Sequence, residues 1–191
     1  MPTTDEPDRS SMPPQEAEDQ PPPSHRSRAQ AATIELHVEN ACAALSPISL
    51  QQLITDTRRV LALLPNTGSV RVRIVDDAEM IEAHKRYCDL DTTTDVLTFD
   101  LASHDTDFQS KALDTDLIVC ADEANRQALR RDHPITHELL LYIIHGVLHC
   151  LGHDDHDDDA FARMHAREDQ LLTAAGIGPV FSADLKEERR S

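Results

Sequence analysis

One long apolar segment, from Thr136 to Leu151, constrains the fold most, and its second half carries two histidines, His145 and His149. Apolar residues recur on almost every side of a helix here, which predicts a central, buried helix that Thr136 caps. Residues four apart in a helix share a face, so the two imidazoles can reach one point. Gly152 then ends the helix and lets the chain fold back. The segment therefore predicts both the middle of the core and a candidate metal site at the end of this helix.

The residues that follow Gly152 supply further metal-binding side chains. Asp155 lies six residues after His149, which is the spacing of the third ligand in HxxxHxxGxxH zinc sites, and a carboxylate can take that position. His156 lies one residue further along, and imidazole is the commoner zinc ligand. Three protein ligands with an open fourth position are typical of a catalytic zinc site. We therefore expect one zinc ion per chain, held by His145, His149 and Asp155, with His156 as the alternative third ligand.

The residue after the first histidine discriminates between classes of zinc hydrolase. Peptidases with an HExxH motif carry their general-base glutamate there, whereas this chain has Gly146. Peptide hydrolysis by that route is therefore disfavoured. The pattern assigns no general base; the candidates are Glu138, Asp154, and whichever of Asp155 and His156 does not bind the metal.

Periodicity along the rest of the chain predicts an α+β domain. Strands are expected at residues 33–39, 70–75, 96–101 and 117–120. Helices are expected at 49–64, 77–87, 122–131 and 159–175 besides the central one, with Ser49 as the first cap and a polar loop at 103–114. This order predicts a four-stranded sheet packed with about five helices on one face, and a metal site at the end of the central buried helix.

The ends of the chain differ from the domain between them. Residues 1–30 contain most of the prolines and almost no large apolar side chains, so we predict a disordered, acidic tail. It lacks the apolar core of a secretory signal. The folded domain is expected over residues 31–181, with a frayed tail at 182–191.

Composition limits the classes of partner. No stretch approaches the roughly 20 apolar residues of a membrane span, so no membrane partner is expected. The four cysteines form no CxxC pair, which indicates the reduced thiols of a cytoplasmic protein. The formal net charge of −17 argues against broad nucleic-acid binding by counterion release, and no DNA partner is expected.

Three blocks of sequence occur in a characteristic order. They are TDVLTF at residues 94–99, TDLIVC at 115–120 and HGVLHCLGHDD at 145–155. They match a TDVLSF block, a GDI-V-I-like strand and an HGxLHLxGYDH signature. With these blocks the chain resembles the YbeY family, the bacterial metal-dependent endoribonucleases and rRNA maturation factors, over about residues 33–178.

The resemblance implies a zinc ion held by the helix histidines and by a third ligand beyond the glycine. It implies a hydrolase of phosphoester bonds, an endoribonuclease specific for single strands. The implied roles are rRNA 3′-end maturation and ribosome quality control, with rRNA precursors and the ribosome or its small subunit as partners. The alternatives are a non-catalytic ribosome-assembly factor with a closed, structural metal site, or a zinc hydrolase of another class, such as a peptidase.

Two positions depart from the family pattern. The family's usual third histidine aligns with Asp155, which bears on the identity and affinity of the metal. The family's usual arginine after a tyrosine aligns with Cys88, whereas this chain has Arg86 before Tyr87. A shift of one residue turns a helical side chain by about 100°. Arg86 is therefore a candidate phosphate contact, with an ordinary surface charge as the alternative.

Overall fold

The computed structural model describes residues 33–102 and 111–181. The expected tails at 1–30 and 182–191, and residues 103–110 of the expected loop, lie outside the described residues. The described elements are β1 (Ile34–Asn40), α1 (Pro47–Leu61), β2 (Gly68–Val75), α2 (Asp77–Cys88), β3 (Val96–Asp100), β4 (Leu113–Cys120), α3 (Ala121–Arg130), α4 (Ile135–Cys150) and α5 (Asp158–Ala174). The predicted α+β class, with a four-stranded sheet and five helices, is confirmed.

The sheet combines parallel and antiparallel pairing in the order β1-β2-β4-β3. β2 pairs in parallel with β1 and with β4, while β3 lies antiparallel to β4 at one edge. Parallel neighbours require a crossover connection, which α1 provides between β1 and β2. The two central strands therefore carry the most deeply buried apolar residues of the sheet, among them Val70, Ile74 and Val119.

The helices do not all lie on one face of the sheet. The larger core joins α1, α4 and α5 to the inward side chains of the strands, such as Leu117 and Val119. A smaller cluster contains Met80 of α2 together with Ile118 and Cys120, which alternate with that first pair along β4. Successive strand residues point to opposite faces. The expectation of a single helical face was therefore wrong for α2.

Two helix starts differ from the prediction for reasons of local chemistry. Ser46, not Ser49, caps α1: its Oγ accepts a hydrogen bond from the backbone N–H of Ser49 at 3.1 Å, and Pro47 occupies the first helical position, which suits its fixed φ. α4 begins after Pro134 with no side-chain cap, so Thr136 does not cap it.

β4 begins at Leu113, four residues earlier than its apolar run predicted. Leu113 is buried, while Asp114 and Asp116 point to the other face and pair with Arg71 of β2. Polar and apolar residues thus already alternate in the last part of the segment that was predicted to be a polar loop, and the strand includes that part. No helix within the described segments combines the length and the apolar character that crossing a membrane demands.

Close contact between α4 and the sheet depends on Gly146. A Cβ atom built there would lie 2.7 Å from Leu117 Cδ2 and 2.8 Å from Thr98 Oγ1, both shorter than normal van der Waals contacts. A glycine at this position therefore lets the helix that carries both histidines lie directly against β3 and β4.

Candidate metal centre

Three side chains converge at the C-terminal end of α4. The Nε2 atoms of His145 and His149 lie 3.0 Å apart. The Asp155 carboxylate lies 3.5 Å from His145 Nε2 and 3.7 Å from His149 Nε2. The ligand atoms of these three residues all lie within 4.8 Å of one another.

The turn after α4 brings Asp155 back toward the histidines. Gly152 adopts a φ of 85°, which is the left-handed conformation that favours glycine. The backbone N–H of His153 donates to the Leu148 carbonyl at 3.0 Å, and that of Gly152 donates to the His149 carbonyl at 2.9 Å. This pair of bonds is a Schellman motif. The predicted role of Gly152 in ending the helix is confirmed.

The hydrogen bonds of the two rings direct both Nε2 atoms toward the same point. His145 Nδ1 lies 2.7 Å from Glu168 Oε1, and His149 Nδ1 lies 3.0 Å from the carbonyl oxygen of His153. Both partners are acceptors, so each Nδ1 carries the hydrogen when its ring is neutral. Two Nε2 lone pairs then face each other at 3.0 Å, an unfavourable contact that a shared cation removes.

The donor set fits zinc. Two nitrogens bound to one tetrahedral zinc at about 2.05 Å lie roughly 3.3 Å apart, and a carboxylate oxygen lies at a similar distance from each. The observed separations of 3.0, 3.5 and 3.7 Å are close to that value. Two imidazoles and one carboxylate leave a fourth position for water or substrate, as catalytic zinc sites do.

Glu168 and His165 of α5 complete the surroundings of His145, and sequence reasoning missed both. Glu168 is fully buried and also accepts from His165 Nδ1 at 2.5 Å. Burial alone would raise the pKa of Glu168, but hydrogen bonds from the two histidines lower it below its usual value. Burial likewise opposes charge on His145, yet the bond to Glu168 raises its pKa overall. The sequence signal that could have indicated them is this pair of polar residues, three apart on the buried side of α5.

His156 and Asp154 lie outside the group of three. The His156 side chain is 85% exposed and its Nδ1 pairs with the Asp154 carboxylate, which is itself exposed. That contact, rather than burial, raises the pKa of His156 and lowers that of Asp154. The structure thus brings Asp155, and not His156, together with the two histidines.

The other two catalytic candidates lie away from the centre. Glu138 is fully buried, seven residues before His145 on α4, and accepts from Arg131 Nη1 at 2.7 Å. Arg86 is exposed on α2, with its guanidinium carbon 5.9 Å from the centre of the Tyr87 ring. Neither side chain contacts the three converging residues.

A cavity of about 430 Å³ opens beside His145. On one side, the Asp95 carboxylate accepts hydrogen bonds from Thr94 Oγ1 at 3.0 Å and from the Val96 backbone N–H at 2.9 Å. The cavity is lined by Thr93, Thr94, Asp95, Glu123, Gln127, Arg131, Leu141, Tyr142, His145, Phe161, His165, Glu168 and Phe181.

The family model and the curated relatives agree on one family. The family model described as Endoribonuclease YbeY matches residues 37–176. Endoribonuclease YbeY of Mycolicibacterium paratuberculosis is 34% identical over 152 residues, 74% of this chain and 86% of the relative. That of Rhodococcus jostii is 32% identical over 133 residues, 65% of this chain and 74% of the relative. The solution structure of TM1509 from Thermotoga maritima matches with a TM-score of 0.49 and 23% identity, over 74% of this chain and 90% of that one.

Proposed function

The chain belongs to the YbeY family of endoribonucleases, and from that premise we propose that it is a zinc-dependent hydrolase that cleaves single-stranded RNA. The observation that carries the proposal is the convergence of His145, His149 and Asp155 at the end of α4. These three residues would hold one zinc ion per chain, each histidine through Nε2. The resemblance to the family and the donor chemistry of the site support the same assignment.

A bound zinc ion would lower the pKa of a coordinated water and stabilise negative charge on a phosphoryl oxygen. The chain's own residues prepare the centre for that chemistry. Glu168 orients the His145 ring from a buried position, as partners behind metal ligands commonly do. Asp154 precedes Asp155, accepts a hydrogen bond from its backbone N–H at 2.8 Å, and is the proposed group for proton transfer. Glu138, bound to Arg131, is assigned a structural role.

The proposed substrate in the cell is the 3′ region of rRNA precursors. The proposed partners are therefore the ribosome or its small subunit, in the cytoplasm, and the biological roles are rRNA maturation and ribosome quality control. The family resemblance supports this part of the proposal. A peptidase is less well supported, because Gly146 stands where such enzymes carry the general base.

The proposal is tested by incubating the purified protein with a single-stranded rRNA 3′-precursor and with the same sequence in a duplex. We expect cleavage of the single strand with zinc, no cleavage with chelator, and none by His149→Ala. Equal cleavage by wild type and variant would identify a contaminating nuclease and overturn the proposal. Tight RNA binding without any cleavage would favour the non-catalytic assembly factor instead.

A further inference from the structure

We propose that Phe161, His165 and Phe181 form a stacking platform that holds one unpaired nucleobase of the RNA beside the metal centre. The three rings line the cavity next to His145. The inference rests on the proposed function, since it names how the same site recognises its substrate. It adds a specificity element that none of the metal-binding residues provides.

The three rings pack against one another as one aromatic cluster. The His165 and Phe181 rings stack almost parallel, with centroids 3.5 Å apart and an interplanar angle of 3°. Phe161 contacts His165 edge to face at 4.2 Å and Phe181 at 5.7 Å. Phe161 is nevertheless 44% exposed. A large aromatic side chain that borders a cavity and remains open to solvent is suited to contact a ligand.

Two carboxylates, the half-buried Asp169 and the fully buried Glu168, hold the platform in place. The Asp169 carboxylate accepts hydrogen bonds from the backbone N–H groups of Val180 and Phe181, both at 3.0 Å, and so fixes the segment that carries the Phe181 ring. Glu168 accepts from His165 at 2.5 Å and from His145 at 2.7 Å. The platform and the candidate metal ligand are thus connected through one fully buried side chain.

The cavity suits a nucleobase in size and in chemistry. Its volume of about 430 Å³ lies within the range of about 300–1,000 Å³ found for small-ligand pockets. Thr94 and Gln127 add polar groups of the kind that contact base edges. Proteins that act on single-stranded RNA commonly stack splayed bases on Phe, Tyr or His rings. A duplex keeps its bases paired and stacked, so this platform would also favour single strands.

The test uses a short single-stranded RNA that carries 2-aminopurine, a base whose fluorescence falls when it stacks. Binding is measured in chelator, where the proposed cleavage does not occur. Cleavage of the same RNA is then measured with zinc. The variants are Phe161→Leu, which keeps an apolar side chain without the ring, and Phe161→Tyr, which keeps the ring. Tyr87→Leu is the matched control, because Tyr87 is similarly exposed at 56% but lies on α2, outside this cavity.

We expect Phe161→Leu to weaken RNA binding about 10-fold, to restore 2-aminopurine fluorescence and to raise KM more than it lowers kcat. Phe161→Tyr and Tyr87→Leu should behave like the wild type, and thermal unfolding should show that all variants are folded. Wild-type cleavage of RNA together with unchanged binding and fluorescence in Phe161→Leu would overturn the platform and leave the proposed function standing. A wild-type protein that neither binds nor cleaves the RNA would overturn the proposed function itself.

Discussion

Replacing Glu168 by glutamine separates a partner of the metal site from an ordinary buried carboxylate. Glu168 is fully buried and accepts hydrogen bonds from both His145 and His165. A glutamine keeps the shape but has one acceptor oxygen, so it can satisfy only one of the two rings as acceptor. The charge that favours the Nδ1–H form of His145 is lost as well. We therefore expect Glu168→Gln to weaken zinc binding.

The magnitude follows from the bond that is lost. A hydrogen bond to a charged group contributes about 1.5–3 kcal/mol. Partners behind metal ligands typically change metal affinity by about 10- to 100-fold. A loss of about 2 kcal/mol corresponds to a roughly 30-fold higher Kd for zinc. The Kd is measured by competition between the protein and a chromophoric chelator, with thermal unfolding of each metal-free variant as a separate measure of stability.

Glu138→Gln is the matched control for this experiment. Glu138 is also fully buried and also paired, with Arg131, but it has no contact with the converging residues. Both variants should be destabilised, because each disturbs a buried carboxylate. Only Glu168→Gln should raise the zinc Kd. Equal zinc affinities for Glu168→Gln and wild type, or an equal loss of zinc affinity in both variants, would contradict this role of Glu168.

Three further perturbations test the third ligand, helix packing and an ion pair. Asp155→Ala should abolish zinc binding in the chelator assay and His156→Ala should not; the reverse result would reassign the third ligand. Gly146→Ala should lower the free energy of unfolding in urea by about 1–2 kcal/mol, because the added methyl group meets side chains of the sheet; an unchanged value would contradict that contact. Hydrogen bonds from Arg126 lower the pKa of Asp77 from 3.8 to about 2. The ionised Asp77 therefore stabilises the folded protein above pH 4, and this stabilisation is lost as the pH falls toward 2. Asp77→Asn should therefore lower the free energy of unfolding by about 1 kcal/mol at neutral pH and by less in acid; the value allows for the 36% exposure of the Asp77 side chain. A loss of stability that does not change with pH would contradict this assignment.

Most of the fold could be predicted from the sequence because its periodic signals are strong. The buried helix α4 and the alternation in β2 gave the right element types, and the predicted helix end at Gly152 is correct. The cap of α1 was missed because both Ser46 and Ser49 suit that position, and Pro47 decides between them. The order of the strands and the position of α2 depend on long-range packing, which a local pattern does not encode.

In the candidate site, too, the residues set by local spacing could be predicted, and those brought in by long-range packing could not. The i, i+4 spacing of His145 and His149 and the six-residue step to Asp155 are local features of the sequence. They therefore predicted that all three side chains bind one metal ion. Glu168 and Phe181 reach the site from α5 and the segment beyond it, more than 20 residues after His145. Only the packing of α5 against α4 brings them there. Long-range neighbours of this kind need a structure to be found.

We propose that one zinc ion at His145, His149 and Asp155 gives the protein its ability to cleave RNA. The most direct measurement adds zinc stepwise to the metal-free protein and follows the cleavage rate of a single-stranded rRNA 3′-precursor. We expect the rate to rise until one zinc ion is bound per chain, and His149→Ala to stay inactive throughout. Cleavage that is independent of zinc, or undiminished in His149→Ala, would contradict this proposal.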